Sequence, residues 1–164
     1  AQDSIGICMP GLVRHYYDNR FWPDKFESCD DEEVLSWVES HVCMIPMEPR
    51  RPGCSVVDGK DITEPKVKNL AKAADDCWNA MLRRDFAAFA SAFKASFDAQ
   101  VAMFPAMIQG CVQEFIDKYS AMPEVHAWKM PGAGGGGYLV LVVDDVKSFK
   151  EKHPETINLT IRRK

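Results

Sequence analysis

The run Pro131-Gly132-Ala133-Gly134-Gly135-Gly136-Gly137 stands between Val125 to Met130, which alternates apolar and polar, and Tyr138 to Val143, which is wholly apolar. Both flanking stretches read as strands, so the glycines form their connection. Five glycines in six positions are costly to order, because each gives up more backbone entropy than any other residue. A plain hairpin turn hardly needs them. Such a run lets a backbone approach a ligand closely and aim several N–H groups at an anion, as nests and phosphate loops do. A tight or loose strand connection with no ligand is the competing reading, and pattern alone leaves both open. Two other glycine signatures are excluded: a dinucleotide fingerprint opens a helix directly after its glycines, and a Walker loop ends in Gly-Lys-Ser/Thr.

Upstream, residues 12–17 and 20–27 are rich in aromatic and β-branched residues and flank Asp18-Asn19, which predicts an antiparallel hairpin whose second arm Pro23 makes an edge. Ser28 and Asp31 precede Val34, Leu35, Trp37, Val38 and Val42, the cap and spacing of a short amphipathic helix leading into a strand over 41–47. The segment from Glu48 to Gly59, with Pro49, Arg50 and Pro52, is a loop and the clearest boundary in the chain. Thr63-Glu64-Pro65 starts a long helix with Val67, Leu70, Ala71, Ala74, Trp78 and Met81 inward. Asp85 caps a second, whose stripe of Phe86, Phe89, Ala90, Phe93, Phe97 and Val101 ends at Pro105 and reads as helix packing rather than a ligand box. A third is predicted from about Pro105 to Tyr119, then a short helix over 146–153 and an alternating strand over 157–163. From His41 the order is strand, helical layer, strand, strand, helix, strand. It predicts an α+β fold, a ferredoxin-like split βαβ domain with an enlarged helical layer.

The 164 residues are 46% hydrophobic, enough for one domain with a real core. A net charge of −4, without a long run of either sign, gives no basic footprint for nucleic acid. No apolar stretch reaches the roughly 18 residues that cross a bilayer, and Ala1-Gln2-Asp3-Ser4 is no signal sequence, so a protein of the cytoplasm is expected. The six cysteines are widely spaced and several lie in apolar periodic segments, which favours free buried thiols over disulfides. Neither they nor the four scattered histidines have metal-site spacing, so no structural metal is expected. The chain opens on Ala1 and passes almost at once into the apolar Ile5 to Met9, as if cut from something longer.

The stretch Trp128-Lys129-Met130-Pro131-Gly132-Ala133-Gly134-Gly135-Gly136-Gly137-Tyr138-Leu139 resembles the third motif of the GHMP kinases, small-molecule kinases that include galactokinase, homoserine kinase and mevalonate kinase. Ser96-Phe97-Asp98-Ala99-Gln100 through Phe104-Pro105, and the ending Ile157 to Arg163, are similar to the heptose-phosphate and fucose kinase branch. Gln2-Asp3-Ser4-Ile5-Gly6 resembles the Gln-Asp-x-x-Gly stretch that follows the nucleotide-binding motif in these enzymes. The resemblance implies that Asp3 takes the proton of the substrate hydroxyl, and that Gly132, Ala133, Gly134, Gly135, Gly136 and Gly137 border the substrate and nucleotide phosphates. A carboxylate suits the first task because the attacking oxygen must be oriented and relieved of its proton. Two departures stand out: Pro131 replaces the family's usual Ser or Thr, and Ser4 its commoner Gln. The family's serine-rich phosphate loop would lie upstream of Ala1.

The resemblance therefore implies residues 1–40 as a remnant of an N-terminal kinase domain, its edge hairpin and short helix, and 41–164 as the C-terminal domain. The expected function is ATP- and Mg2+-dependent phosphorylation of a sugar or sugar phosphate, completed by an upstream kinase half in cis or in trans. The alternative is a non-catalytic ligand-binding or dimerisation module. Exposed apolar surface on the hairpin would make the chain self-associate.

Overall fold

Asp31 sets the first helix of the main layer: its carboxylate accepts from the amides of Glu33 and Val34, and Glu32 and Glu33 complement the positive end of the helix dipole. This helix, α1 (Glu32–His41), buries Val34, Leu35 and Val38 and turns without a loop into a strand, because Val42 is already extended. In a computed structural model that describes residues 5–6, 8–18, 20–50, 52–53, 55–109 and 111–164, two strands precede it. They are β1 (Leu12–Tyr16) and β2 (Lys25–Cys29), antiparallel in register from Leu12 opposite Cys29 to Tyr16 opposite Lys25.

That register corrects the predicted hairpin. The second arm is 25–29 rather than 20–27, and Pro23 lies in the connection. Asp24 closes the connection, its amide donating to the Tyr16 carbonyl at 2.8 Å and its carboxylate accepting from the Asp18 amide at 2.9 Å. A proline there loses no ladder bond.

The main sheet begins with β3 (Val42–Pro46), within the strand predicted over 41–47. The long helix α2 (Glu64–Arg83) starts at Thr63 with Pro65 in its first turn and stops at Arg84, whose φ of 56° is left-handed. Its inner face is offset from the predicted one. Ala73, Trp78 and Ala80 are buried and Leu70, Cys77 and Met81 partly so, while Val67, Ala71 and Ala74 are exposed. The partner helix α3 (Phe86–Met103) decides this, since α2 and α3 pack against each other along their length. Asp85 caps α3 by accepting from the Ala88 amide, and Phe89, Ala90 and Phe97 are buried as the stripe predicts.

The helix predicted from Pro105 to Tyr119 is broken. Pro105–Met107 forms a 3-10 turn, and α4 (Val112–Ser120) follows with Val112, Ile116 and Tyr119 buried. The strands β4 (Val125–Lys129) and β5 (Tyr138–Val143) fall where the pattern placed them, with a bulge at His126. The helix α5 (Val146–Lys152) is capped by Asp145. The last strand, β6 (Ile157–Asn158), pairs over two residues rather than to Arg163. The rest of the tail is held in other ways: Glu39 accepts from the Ile161 amide at 2.5 Å, the Gly11 amide donates to the Arg162 carbonyl at 2.8 Å, and Arg163 bridges Glu32 and Glu39.

Neighbouring strands of the sheet are all antiparallel, in the order β4-β5-β3-β6. Cys43, Ile45, Leu139, Leu141 and Val143 face a core built with Phe97, Val112, Ile116, Tyr119 and Phe149. Val42, Val142 and Ala127 face the other way, onto Leu35, Val38, Ala80 and Phe89. Among the described residues the chain is α+β, with two antiparallel sheets and five helices. No helix among them is long and apolar enough to cross a membrane.

Candidate functional site

The glycine run forms the connection from β4 to β5, at the end of the sheet where β3 finishes. Backbone bonds stitch it to the segment that follows β3: the Met47 amide donates to the Gly137 carbonyl at 2.8 Å, and the Gly137 amide donates to Glu48 O at 3.0 Å. On its other side the Gly135 amide donates to Met107 O at 2.9 Å, and Arg50 Nε donates to Gly134 O at 3.0 Å.

Two of the glycines are required by space as well as by conformation. A Cβ on Gly134 would stand 2.9 Å from the Met107 Cβ and 3.0 Å from its backbone, and one on Gly136 would stand 2.6 Å from Glu48 O and 2.8 Å from the Arg50 amide. At Gly132 and Gly137 a Cβ would meet nothing within 4 Å, so the loop has one packed side and one open side. Close backbone approach therefore accounts for part of the glycine content. The conformation at the open positions, with φ of 68° at Gly132 and 97° at Gly137, accounts for glycine there. The amides of Gly135 and Gly137 are committed to carbonyls, and Pro131 has none to offer.

The strand that delivers the loop ends in Lys129, on the side of the sheet facing α2 and α3. Its ammonium donates to Ser96 Oγ of α3 at 2.8 Å, and burial lowers its pKa from the usual lysine value to about 8. Cys77 of α2 lies close enough to feel that charge, yet burial dominates and pushes its thiol up to about 11. Gln100 stands one turn along α3 from Ser96, its side-chain oxygen buried and without a hydrogen-bond partner among the described residues. Neither Ser96 nor Lys129 was singled out in the sequence for a role, and the bond between them spans 33 positions.

No protein-family model matches the chain, and no curated protein does. Two solved structures are similar in shape. One is a candidate sugar kinase from Campylobacter jejuni, 16% identical, with a TM-score of 0.49 over 85% of this chain. The other is MDDEF in complex with MVAPP, 13% identical, with a TM-score of 0.48 over 88% of this chain. The chain spans 39% and 51% of those two chains, less than two thirds of either.

Asp3, the residue the resemblance implies as base, lies outside the described residues. The loop from Gly132 to Gly137 is described throughout, exposed at Gly132 and Ala133 and buried at Gly134 and Gly135. At the far end of β3 lies a separate open cavity of about 380 Å³, lined by Glu39, Ser40, Asp145, Lys147, Lys150 and Asn158 among others. Its charged groups already serve the fold: Asp145 caps α5, Lys150 donates to Asn158 Oδ1, and Glu39 holds Arg163. Among the described residues no three His, Cys, Asp or Glu side chains gather as a metal site.

Proposed function

We propose that this chain is the C-terminal portion of an ATP-dependent kinase of the GHMP type, transferring the terminal phosphoryl group of ATP to a hydroxyl of a sugar or sugar phosphate. The observation that carries the reading is the glycine connection itself. Its sequence resembles the family's third motif, and it lies between adjacent antiparallel strands with one side packed on the chain after β3 and the other open. The open side at Gly132 and Gly137 is where phosphate oxygens would lie against backbone. The strand order β4-β5-β3-β6 supports a ferredoxin-like split βαβ domain over 41–164. Residues 1–40 then belong to the edge of a second domain, where the exposed Phe21, Trp22 and Phe26 offer apolar surface for the upstream half or for a second copy of the chain.

In this reading Asp3 is the base, and the enzyme works in the cytoplasm. ATP supplies the phosphoryl group, and its Mg2+ neutralises charge developing on the transferred group. The chain alone is then expected to be inactive. A second reading, a ligand-binding or dimerisation module without catalysis, is favoured by one feature: the amides of Gly135 and Gly137 are already spent on Met107 and Glu48. Calorimetric titration of the chain with Mg-ATP, alone and mixed with a segment carrying the serine-rich loop, separates the two. Phosphorylation of a sugar only in the mixture supports the kinase; no nucleotide binding and no turnover in either sample refutes it.

A further inference from the structure

The strand β2 has one neighbour and one bare edge. Among the described residues it pairs with β1 alone, over five residues, and no backbone hydrogen bond from another element reaches its outer side. A two-stranded sheet is marginal by itself and gains from further strands. A bare edge is a template for such a strand, and proteins normally blunt it with charge. Here the charges are arranged differently. Lys25 and Glu27 lie on the face of the hairpin that carries Arg14 and Tyr16, with Lys25 Nζ 2.7 Å from Glu27 Oε1. Phe26, between them, is on the other face opposite His15 and is 53% exposed.

We propose that β2 pairs edge to edge with β2 of a second copy of this chain, antiparallel about a two-fold axis at Phe26, making a four-stranded sheet. In that register Phe26 faces its own copy, Lys25 faces the partner's Glu27, and Glu27 faces the partner's Lys25. Opposite charges directly across an antiparallel pair attract, and an aromatic pair adds packing. Neighbouring registers lose both. An axis at Lys25 sets lysine against lysine, an axis at Glu27 sets glutamate against glutamate, and a one-residue slip sets Phe26 against a charge. The charges that would repel a strand in another register therefore select one partner, the identical strand running the other way. Such a contact uses the same patch on both copies, so it closes at the dimer. The inference stands apart from the phosphoryl-transfer reading, since it uses the hairpin and none of the glycine loop.

The test is sedimentation velocity of the full chain over a range of concentrations. A short strand pair is a small interface, so a reversible dimer with a dissociation constant on the order of micromolar is expected. Lys25→Glu and Glu27→Lys should each weaken it by about tenfold, because two attractive pairs become repulsive. An equimolar mixture of the two variants should restore it as a heterodimer. Phe26→Asp, at an exposed position outside both cores, should also weaken it. Trp22→Ser, in the exposed connection between β1 and β2, is the control and should leave it unchanged. Circular dichroism of each variant checks that the chain is folded. A wild-type chain that stays monomeric overturns the proposal and leaves the edge to a strand of another kind. So does association that continues past the dimer, a mixture no tighter than its components, or a dimer that survives Phe26→Asp and is lost with Trp22→Ser.

Discussion

Replacing Gly136 by alanine tests whether the glycine loop is shaped by its packing. The added methyl would stand 2.6 Å from Glu48 O, 2.8 Å from the Arg50 amide and 3.0 Å from Pro49 C, all backbone atoms that cannot swing away. The residue also has a φ of 145°, which an L side chain rarely adopts. Backbone strain of this kind costs about 1–3 kcal/mol, and forcing a methyl into occupied space about 1–3 kcal/mol more. The expected loss is therefore about 2–6 kcal/mol, a large share of the whole stability of an ordinary domain. Gly132→Ala is the control, since its φ of 68° is also left-handed but nothing lies within 4 Å. It should lose only the conformational part, about 1–2 kcal/mol. Urea denaturation followed by tryptophan fluorescence reads both. Equal midpoints for the two variants would refute the packing argument and leave positive φ as the whole reason for the glycines.

Phe97→Ala, which empties a buried site shared by α3 and the sheet, should cost about 3–5 kcal/mol in the same assay. Lys129 has a folded pKa of about 8 against about 10.4 unfolded, so the unfolded chain binds more protons between those values. The raised Cys77 and Cys43 thiols act in the opposite direction over this range, so the lysine is read by difference: from pH 8 to 10 the wild type should gain on Lys129→Met by on the order of 2–3 kcal/mol in pH-dependent urea melts. The Arg163 hydrogen bonds hold Glu32 at about 2 and Glu39 below the usual carboxylate range. Depressed carboxylates stabilise above their unfolded pKa and lose that effect as pH falls, so the gap between wild type and Arg163→Met should close from about pH 4.5 down toward 2. A gap that persists at the acid end would mean that Arg163 acts by packing alone.

Local chemistry carried much of the fold. Asp31 and Asp85 announce helix starts because a short carboxylate can satisfy orphan amides whatever the tertiary context, and both do so. The strands at 42–46, 125–129 and 138–143 were legible because their apolar runs are too short and too bounded for helices. What escaped was settled by distant partners. Which side of α2 turns inward depends on α3, so Val67, Ala71 and Ala74 look as suitable as Leu70, Ala73 and Cys77 until the two helices meet. The hairpin turn is closed by Asp24 reaching back to Tyr16 and Asp18, a choice that the turn-prone Asp18-Asn19 pair conceals. The last strand pairs no further than Asn158 because β3 begins at Val42, directly after a helix, and the Ile161 amide beyond it is taken by Glu39.

The same division runs through the site. Glycine density marks the loop without contacts, since few backbones tolerate such entropy loss unless a ligand or a neighbour requires close approach. Which of these applies at each position is a tertiary matter: at Gly134 and Gly136 a side chain would collide with Met107 and with the chain after β3, while at Gly132 and Gly137 it would meet nothing within 4 Å, although the Gly137 backbone is bonded to Met47 and Glu48. The two open positions are therefore where a ligand-directed role and a structural one can be separated. A substitution at Gly132 that spares stability but changes phosphate or nucleotide affinity would tie the open face to binding. The hydrogen bond from Lys129 to Ser96 had no comparable signal, because a lysine at a strand end and a serine in a helix are each ordinary alone. Only the packing of α3 on β4 brings the two together.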